Sequence, residues 1–451
     1  MDLDTAADLR GRPAHHGAAA LIATALIATA LAVRPAGAAT IELWHAMSGE
    51  LGRQLVQLAE DFNRSQSEHR VVPTYKGNYT ETVTAAIFAV RTRKQPAIVQ
   101  VNEVATATMM AAKGAIYPVF ELMRAQGVPF DQKAFIPAVS GYYADLAGNL
   151  LSFPFNASTP ILYYNKDQFR AAGLNENAAP RTWPEVEAAA RKLRQSNVAC
   201  GFTTHWPSWV NVENLSAWHN IPIATHANGL GGFGAELTID NPLLERHVAA
   251  LAEWQKTKIY DYSGRATTAE PRFPAGECGI FLGSSAARAD IVAKSRFAVG
   301  YGMLPYWPDV KGAPQNSIIG GATLWVLRGR PDDEYAAAAR FFAFLSQPSV
   351  QAAWHQSTGY LPITGAAYEL SKDQHFYDRT PGAAIAIEQI MLNPPTENSR
   401  GLRLGSFVLI RDAIEDELEQ AFSGRKSAKA ALSAAKTRGD ELLRQFERTT
   451  R

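Results

Sequence analysis

The chain carries almost no excess of charge: 44 Lys and Arg against 43 Asp and Glu give a formal net charge of +1, and no long basic block occurs. That balance gives no reason to expect nucleic acid or an anionic membrane surface as a partner. Past the first 38 residues no apolar run is long enough to cross a bilayer. Metal signatures are lacking too: His205, His219 and His226 do not have the close spacing that metal sites share, and they read as surface or core histidines. No Gly-x-Ser-x-Gly elbow occurs, so nucleophilic hydrolysis has no local support. The glycines of 229–234 match a dinucleotide spacing literally, but loop precedes them and loop and strand follow, so they read as a turn. Paired catalytic carboxylates are missing as well. The acidic residues from Asp412 to Glu419 read as the solvated face of a helix.

What is present begins with a leader. Arg10 and Arg12 precede the apolar run 17–33, and Ala36-Gly37-Ala38 supplies the small residues a signal peptidase reads. Cleavage after Ala38 is expected, and with it export. No cysteine lies near the site, which argues against a lipid anchor. A length of 451 residues, 47% of them apolar and 19% charged, points to a globular chain of two domains. The two cysteines, Cys200 and Cys278, each open a short strand. They fit either a disulfide between neighbouring parallel strands or two buried thiols.

Along the chain, short strands at 40–43, 71–74 and 97–101 alternate with helical spacings of Leu51, Leu55, Leu58 and Phe62, and of Val83, Ile87 and Val90. This alternation predicts an α/β fold with mostly parallel sheets flanked by helices. In the stretch 152–167, Pro154 and Pro160 each remove a ladder donor, so the run reads as a connector leaving one lobe for another. It would carry Asn156, Ser158 and Thr159 through the gap. Thr182 and Glu185 form a capping box over the next helix. The stretch 297–305 reads as the return crossing. Phe407, Ile410, Ile414 and Leu418 line one face of a late helix.

Ligands of open α/β sheets sit beyond the carboxyl ends of strands. Trp44, His45, Glu103, Ser284 and Ser285 fall there, which suggests a cleft between two lobes. Trp206 and Trp209 flank a proline in a loop, where they can wall the C–H face of a polyol or simply fill core. Gly320 and Gly321 lead into a strand and allow close approach of an anion to backbone amides, or make a tight turn. Arg411 is either a surface pair with Glu415 or a fixed charge aimed at a dianion.

Trp-His-Ala-Met from Trp44, the segments 73–79, 103–110 and 139–143, Ser-Thr-Pro-Ile-Leu-Tyr-Tyr-Asn-Lys-Asp from Ser158, and the segments 313–322, 354–364 and 401–405 together resemble the periplasmic glycerol-3-phosphate-binding proteins of ABC uptake systems. The resemblance spans nearly the whole mature chain. It implies a two-lobed fold of the maltose-binding-protein type, with lobe 1 over 39–155 and 298–347 and lobe 2 over 156–297 and 348–451. Position by position it implies phosphate contacts from Tyr79, Ser158, the Gly321 backbone, Tyr360 and Arg411. It implies that Glu103, Ser284, Trp206 and Trp209 hold the glycerol end, with Glu103 far from the phosphate it would repel. Arg403 competes for the cationic contact, and Ala157 departs from the second serine the pattern would place beside Ser158. The expected role is non-enzymatic and needs no metal or cofactor. A monomer would capture sn-glycerol 3-phosphate, or glycerophosphodiesters such as glycerophosphocholine, in the periplasm. It would then deliver the ligand to a permease of two membrane-spanning subunits with ATPase subunits, and no nucleic acid is involved. A sugar-binding receptor of the same fold is the alternative.

Overall fold

A computed structural model describes residues 38–112 and 114–450, so the expected leader lies outside the described residues apart from Ala38. The first strands are β1 (Ala39–His45), β2 (His69–Tyr75), β3 (Ile98–Asn102), β4 (Ile116–Tyr117) and β5 (Phe153–Ser158). There follow β6 (Pro160–Asn165), β7 (Cys200–Thr204), β8 (Cys278–Ser284), β9 (Val299–Gly302) and β10 (Gly320–Leu327). Two sheets result. One runs β2-β1-β3-β10-β4, with β5 also on β10, and the other β7-β8-β6-β9.

Within the first sheet β1 is parallel to β2 and β3, as crossover helices require, but β10 runs antiparallel to β3, β4 and β5. In the second, β7 and β8 are parallel while β6 opposes both β8 and β9. Each sheet is therefore mostly parallel with a single reversed strand, β10 in the first and β6 in the second, the strands by which the chain arrives from the other sheet.

The stretch expected as a connector is two fully buried strands, one in each sheet, with Thr159 between them. Its prolines sit where a ladder tolerates them. Pro154 flanks a register shift opposite Ala322 and Thr323, and Pro160 is the first residue of β6. The switch of sheets thus falls at Thr159 and not at the 155/156 boundary. The return switch is also later than 297/298: β9 pairs with β6, and the chain rejoins the first sheet only at Gly320. Beyond residue 348 the chain still rests on the first sheet, since Leu361 N–H donates to Ala157 O at 2.7 Å. The two crossings are tied together by buried groups. Thr159 Oγ1 lies 2.7 Å from Ser317 Oγ, and Gln389 Nε2 donates to Ser317 Oγ and to Pro160 O, each at 2.8 Å.

Helix Gly49–Ser65 buries Leu55, Leu58 and Phe62 as its periodicity predicts. Helix Tyr79–Arg91 instead buries Thr82, Ala86 and Ala89 and leaves Ile87 exposed, so its small residues face the sheet. The capping box of Thr182 and Glu185 is present. Cys200 and Cys278 stand in register on β7 and β8, Cα atoms 4.6 Å apart, and are joined as a disulfide. Trp218 and Trp254 are core residues. Among the described residues no helix is long and apolar enough to cross a membrane, and no cluster of His, Cys, Asp or Glu could hold a metal ion.

Candidate functional site

A cavity of about 410 Å³ opens where the ends of strands from both sheets meet. Tyr79, Glu103, Ser158, Trp206, Trp209, Ser284, Gly321, Tyr360 and Arg411 all line it. Ser158 ends β5, Ser284 ends β8, and Glu103 opens the turn after β3, so three strand termini supply three polar groups. Asn156 and Thr159 do not line the cavity. Asn156 Nδ2 donates to Tyr79 Oη at 3.2 Å and its Oδ1 accepts from Gln100, while Thr159 is committed to the crossing. Of Trp44, His45 and Ser285, also expected near the cleft, none lines it.

Each wall has a local cause. Tyr79 is the first residue of a helix closed by the Asn78–Glu81 capping box. Burial of its hydroxyl end pushes Tyr79 up to about 12. Its hydroxyl adjoins that of Tyr360, which burial also holds well above the ordinary phenol value. Tyr360 follows the left-handed cap Gly359 and stacks on Trp354, with ring centroids 6.0 Å apart. Both phenols therefore stay neutral donors. Gly321 has φ +107, and a β-carbon there would collide with Asn156 O, so only glycine fits. A β-carbon at Gly320 would enter the Trp209 ring. Trp206 holds φ +44, a strained value for a large side chain, fixed by its N–H to Ala266 O at 2.8 Å.

Arg411 lies on helix Phe407–Phe422 and is 7% exposed. It makes no surface ion pair with Glu415. Its Nε and Nη2 donate to the two oxygens of Glu213 at 2.9 and 2.7 Å, and Nη2 also reaches Glu103 Oε1 at 3.0 Å. Burial opposes the Arg411 charge, and the two carboxylates more than offset that, so the guanidinium pKa is raised. Burial likewise raises Glu103, with Arg411 pulling the other way. Glu103 is thus not at the far end of the cavity from the cation. A buried guanidinium needs counter-charge, and Glu103 is part of it. Arg403 is no competitor: its Nη2 donates to the carbonyls of Gly141, Tyr142 and Ala144, and it does not line the cavity. The run from Asp412 to Glu419 is not simply a solvated face either, since Glu415 and Glu417 are buried and Asp416 and Glu419 grip Arg265.

Sequence reasoning did not single out Glu213, which sits among apolar residues with no local cue. It also missed the use of His205, read as a bland histidine. His205 Nε2 accepts from the Ser284 N–H at 2.6 Å and Nδ1 lies 3.3 Å from Glu270 Oε2, which fixes the tautomer and the end of β8.

The family model for bacterial extracellular solute-binding protein matches residues 57–382. The chain belongs to that family. It is 48% identical over 412 residues to the sn-glycerol-3-phosphate-binding periplasmic protein UgpB of Yersinia enterocolitica, covering 91% of this chain and 94% of the relative. It is 45% identical to the protein of that name from Escherichia coli K12, over 98% of this chain and 100% of the relative. Among solved structures, UgpB from Mycobacterium tuberculosis in complex with glycerophosphocholine superposes with a TM-score of 0.73 at 21% identity, over 90% of this chain and 98% of that one. The GacH receptor of Streptomyces glaucescens superposes at 0.75 and 17% identity, over 91% and 99%. These likenesses establish the two-lobed fold of solute-binding proteins. The cavity of this solute-binding protein lies between the two sheets, beside the crossings at Thr159 and Gly320.

Proposed function

We propose that this chain is the periplasmic receptor of an ABC importer that captures sn-glycerol 3-phosphate, and glycerophosphodiesters sharing its glycerophosphoryl part, and hands them to the permease. The observation that carries the reading is the buried Arg411 at a cavity wall that also offers the Gly321 backbone and the hydroxyls of Ser158, Tyr79 and Tyr360. A phosphate monoester carries nearly two charges and three acceptor oxygens, and one guanidinium with neutral O–H and N–H donors can satisfy them without a metal. Glu103 and Ser284 suit glycerol hydroxyls, and the faces of Trp206 and Trp209 suit its C–H surface. The names of the relatives agree with this ligand. Ligand touching both lobes stabilises the closed form by its differential affinity for it, and that form docks on the permease. No bond is made or broken, and the protein acts as a monomer.

Calorimetry with glycerol 3-phosphate, glycerophosphocholine, glycerol, phosphate and maltose tests the reading. Saturable binding of the first two is expected. Binding of maltose with no response to either phosphate compound would overturn it in favour of a sugar receptor.

A further inference from the structure

We propose that Glu213 is the positioning residue of the site: it holds the Nε–Nη2 edge of Arg411 and thereby leaves Nη1 as the donor aimed at the ligand's phosphate. The inference rests on the glycerol phosphate reading above. Glu213 is 1% exposed and does not line the cavity, so neither solvent nor ligand accounts for a charge buried there. A buried carboxylate costs several kcal/mol unless it is paired. Its bonds are the two to Arg411 and one from Ser208 Oγ at 3.0 Å.

The pairing uses donors selectively. A guanidinium has five N–H groups in a planar fork. Glu213 takes one from Nε and one from Nη2, and Glu103 takes the other Nη2 hydrogen. Nη1 enters neither ion pair. The Phe407 ring lies 6.0 Å from the guanidinium carbon on the same helix, and the fork's directional restraints are its bonds to Glu213 and Glu103.

Glu213 is itself held by an uncommon element. It lies in the π-helical turn Trp209–Asn214, a widened turn of a kind that concentrates at functional sites. Asn214 closes the turn by donating to Trp209 O at 3.2 Å and accepts from Ile318 N–H at 2.9 Å, two residues before Gly320. One turn therefore sets the indole wall, the rotation of Arg411 and the approach to the glycine pair.

The test is calorimetric titration of sn-glycerol 3-phosphate into wild type, Glu213→Gln, Glu213→Asp, Arg411→Lys and the Glu213→Gln/Arg411→Lys double variant, with thermal unfolding of each. Groups that orient a metal's ligands account for a tenfold to hundredfold change in affinity, and a carboxylate that orients a phosphate-binding guanidinium is expected to act on that scale. Glu213→Gln should raise Kd about tenfold or more. Glu213→Asp, which keeps the charge but shortens the reach, should lose less and remains informative if the Gln variant does not fold. In the Arg411→Lys background, where no fork is left to aim, Glu213→Gln should change Kd by less than about threefold. A lowered Tm with unchanged Kd, or the same loss in both backgrounds, would overturn the positioning role. Failure of wild type to bind would instead overturn the functional reading and this inference with it.

Discussion

Glu103 and Arg411 meet across the cavity wall, Oε1 to Nη2 at 3.0 Å, although one follows a strand of the first sheet and the other sits on a helix more than 300 positions later. Arg411 is shared between Glu103 and Glu213, so one cation already faces two carboxyl groups before a phosphate arrives. The groups facing Glu103 are Arg411, Glu213, Tyr79, Tyr142 and Tyr143, and only the first is cationic. Burial has already raised the Glu103 pKa, and an anion placed beside Arg411 raises it further. Across the pH range in which Glu103 titrates, binding of glycerol 3-phosphate should therefore take up protons, and affinity should fall as pH rises. Calorimetry in two buffers of different ionisation heat counts the protons. Uptake that disappears in Glu103→Gln is expected, and zero uptake or release in wild type contradicts it.

Gly321 permits a single side chain, hydrogen. Gly321→Ala meets both a positive φ and the carbonyl of Asn156. The backbone conflict alone costs about 1–3 kcal/mol. The variant should unfold at lower urea and bind glycerol 3-phosphate at least tenfold more weakly. Ser158→Ala, next door on β5, should lose affinity with little change in urea midpoint.

The disulfide closes a loop of 78 positions. Removing it as Cys200→Ser/Cys278→Ser should cost about 2–5 kcal/mol of stability. Both cysteines begin their strands, while Thr204 and Ser284 at the other ends approach the cavity. Affinity at 25 °C should thus stay within about twofold of wild type. Thermal unfolding with and without reductant checks the first part, and titration the second.

Glu415 is buried beside Ser208, and burial lifts its pKa to about 7 from the ordinary 4.5. Below pH 4.5 the carboxyl is protonated in both folded and unfolded chains and costs nothing. Between 4.5 and 7 the unfolded chain gives up the proton first, so this group lowers stability as pH rises, by up to about 3 kcal/mol above pH 7. Glu415→Gln should be more stable than wild type at pH 8, and the two should converge near pH 4.5. Urea unfolding across that range reads the difference.

Much of this arrangement is legible in the residues. The strand and helix periods placed the elements, the ends of β3 and β8 pointed to Glu103 and Ser284, and the two-proline connector pointed to Ser158. What was not legible depended on strand order and on distant partners. Pro154 and Pro160 excluded an ordinary strand, but only the bulge opposite Ala322 and the start of β6 show how two strands accommodate them. The partners of Arg411 could not be read, because Glu213 is 198 positions away and Glu103 is 308. Local spacing favoured Glu415 one turn on, and the cost of burying a guanidinium decided otherwise.

A crystal structure with sn-glycerol 3-phosphate tests the central claim most directly. The account predicts phosphate oxygens within hydrogen-bond distance of Arg411 Nη1 and the Gly321 N–H, with the glycerol hydroxyls toward Glu103 and Ser284. A phosphate bound at Lys294 on the cavity rim, with Arg411 still engaged only by Glu103 and Glu213, would contradict it.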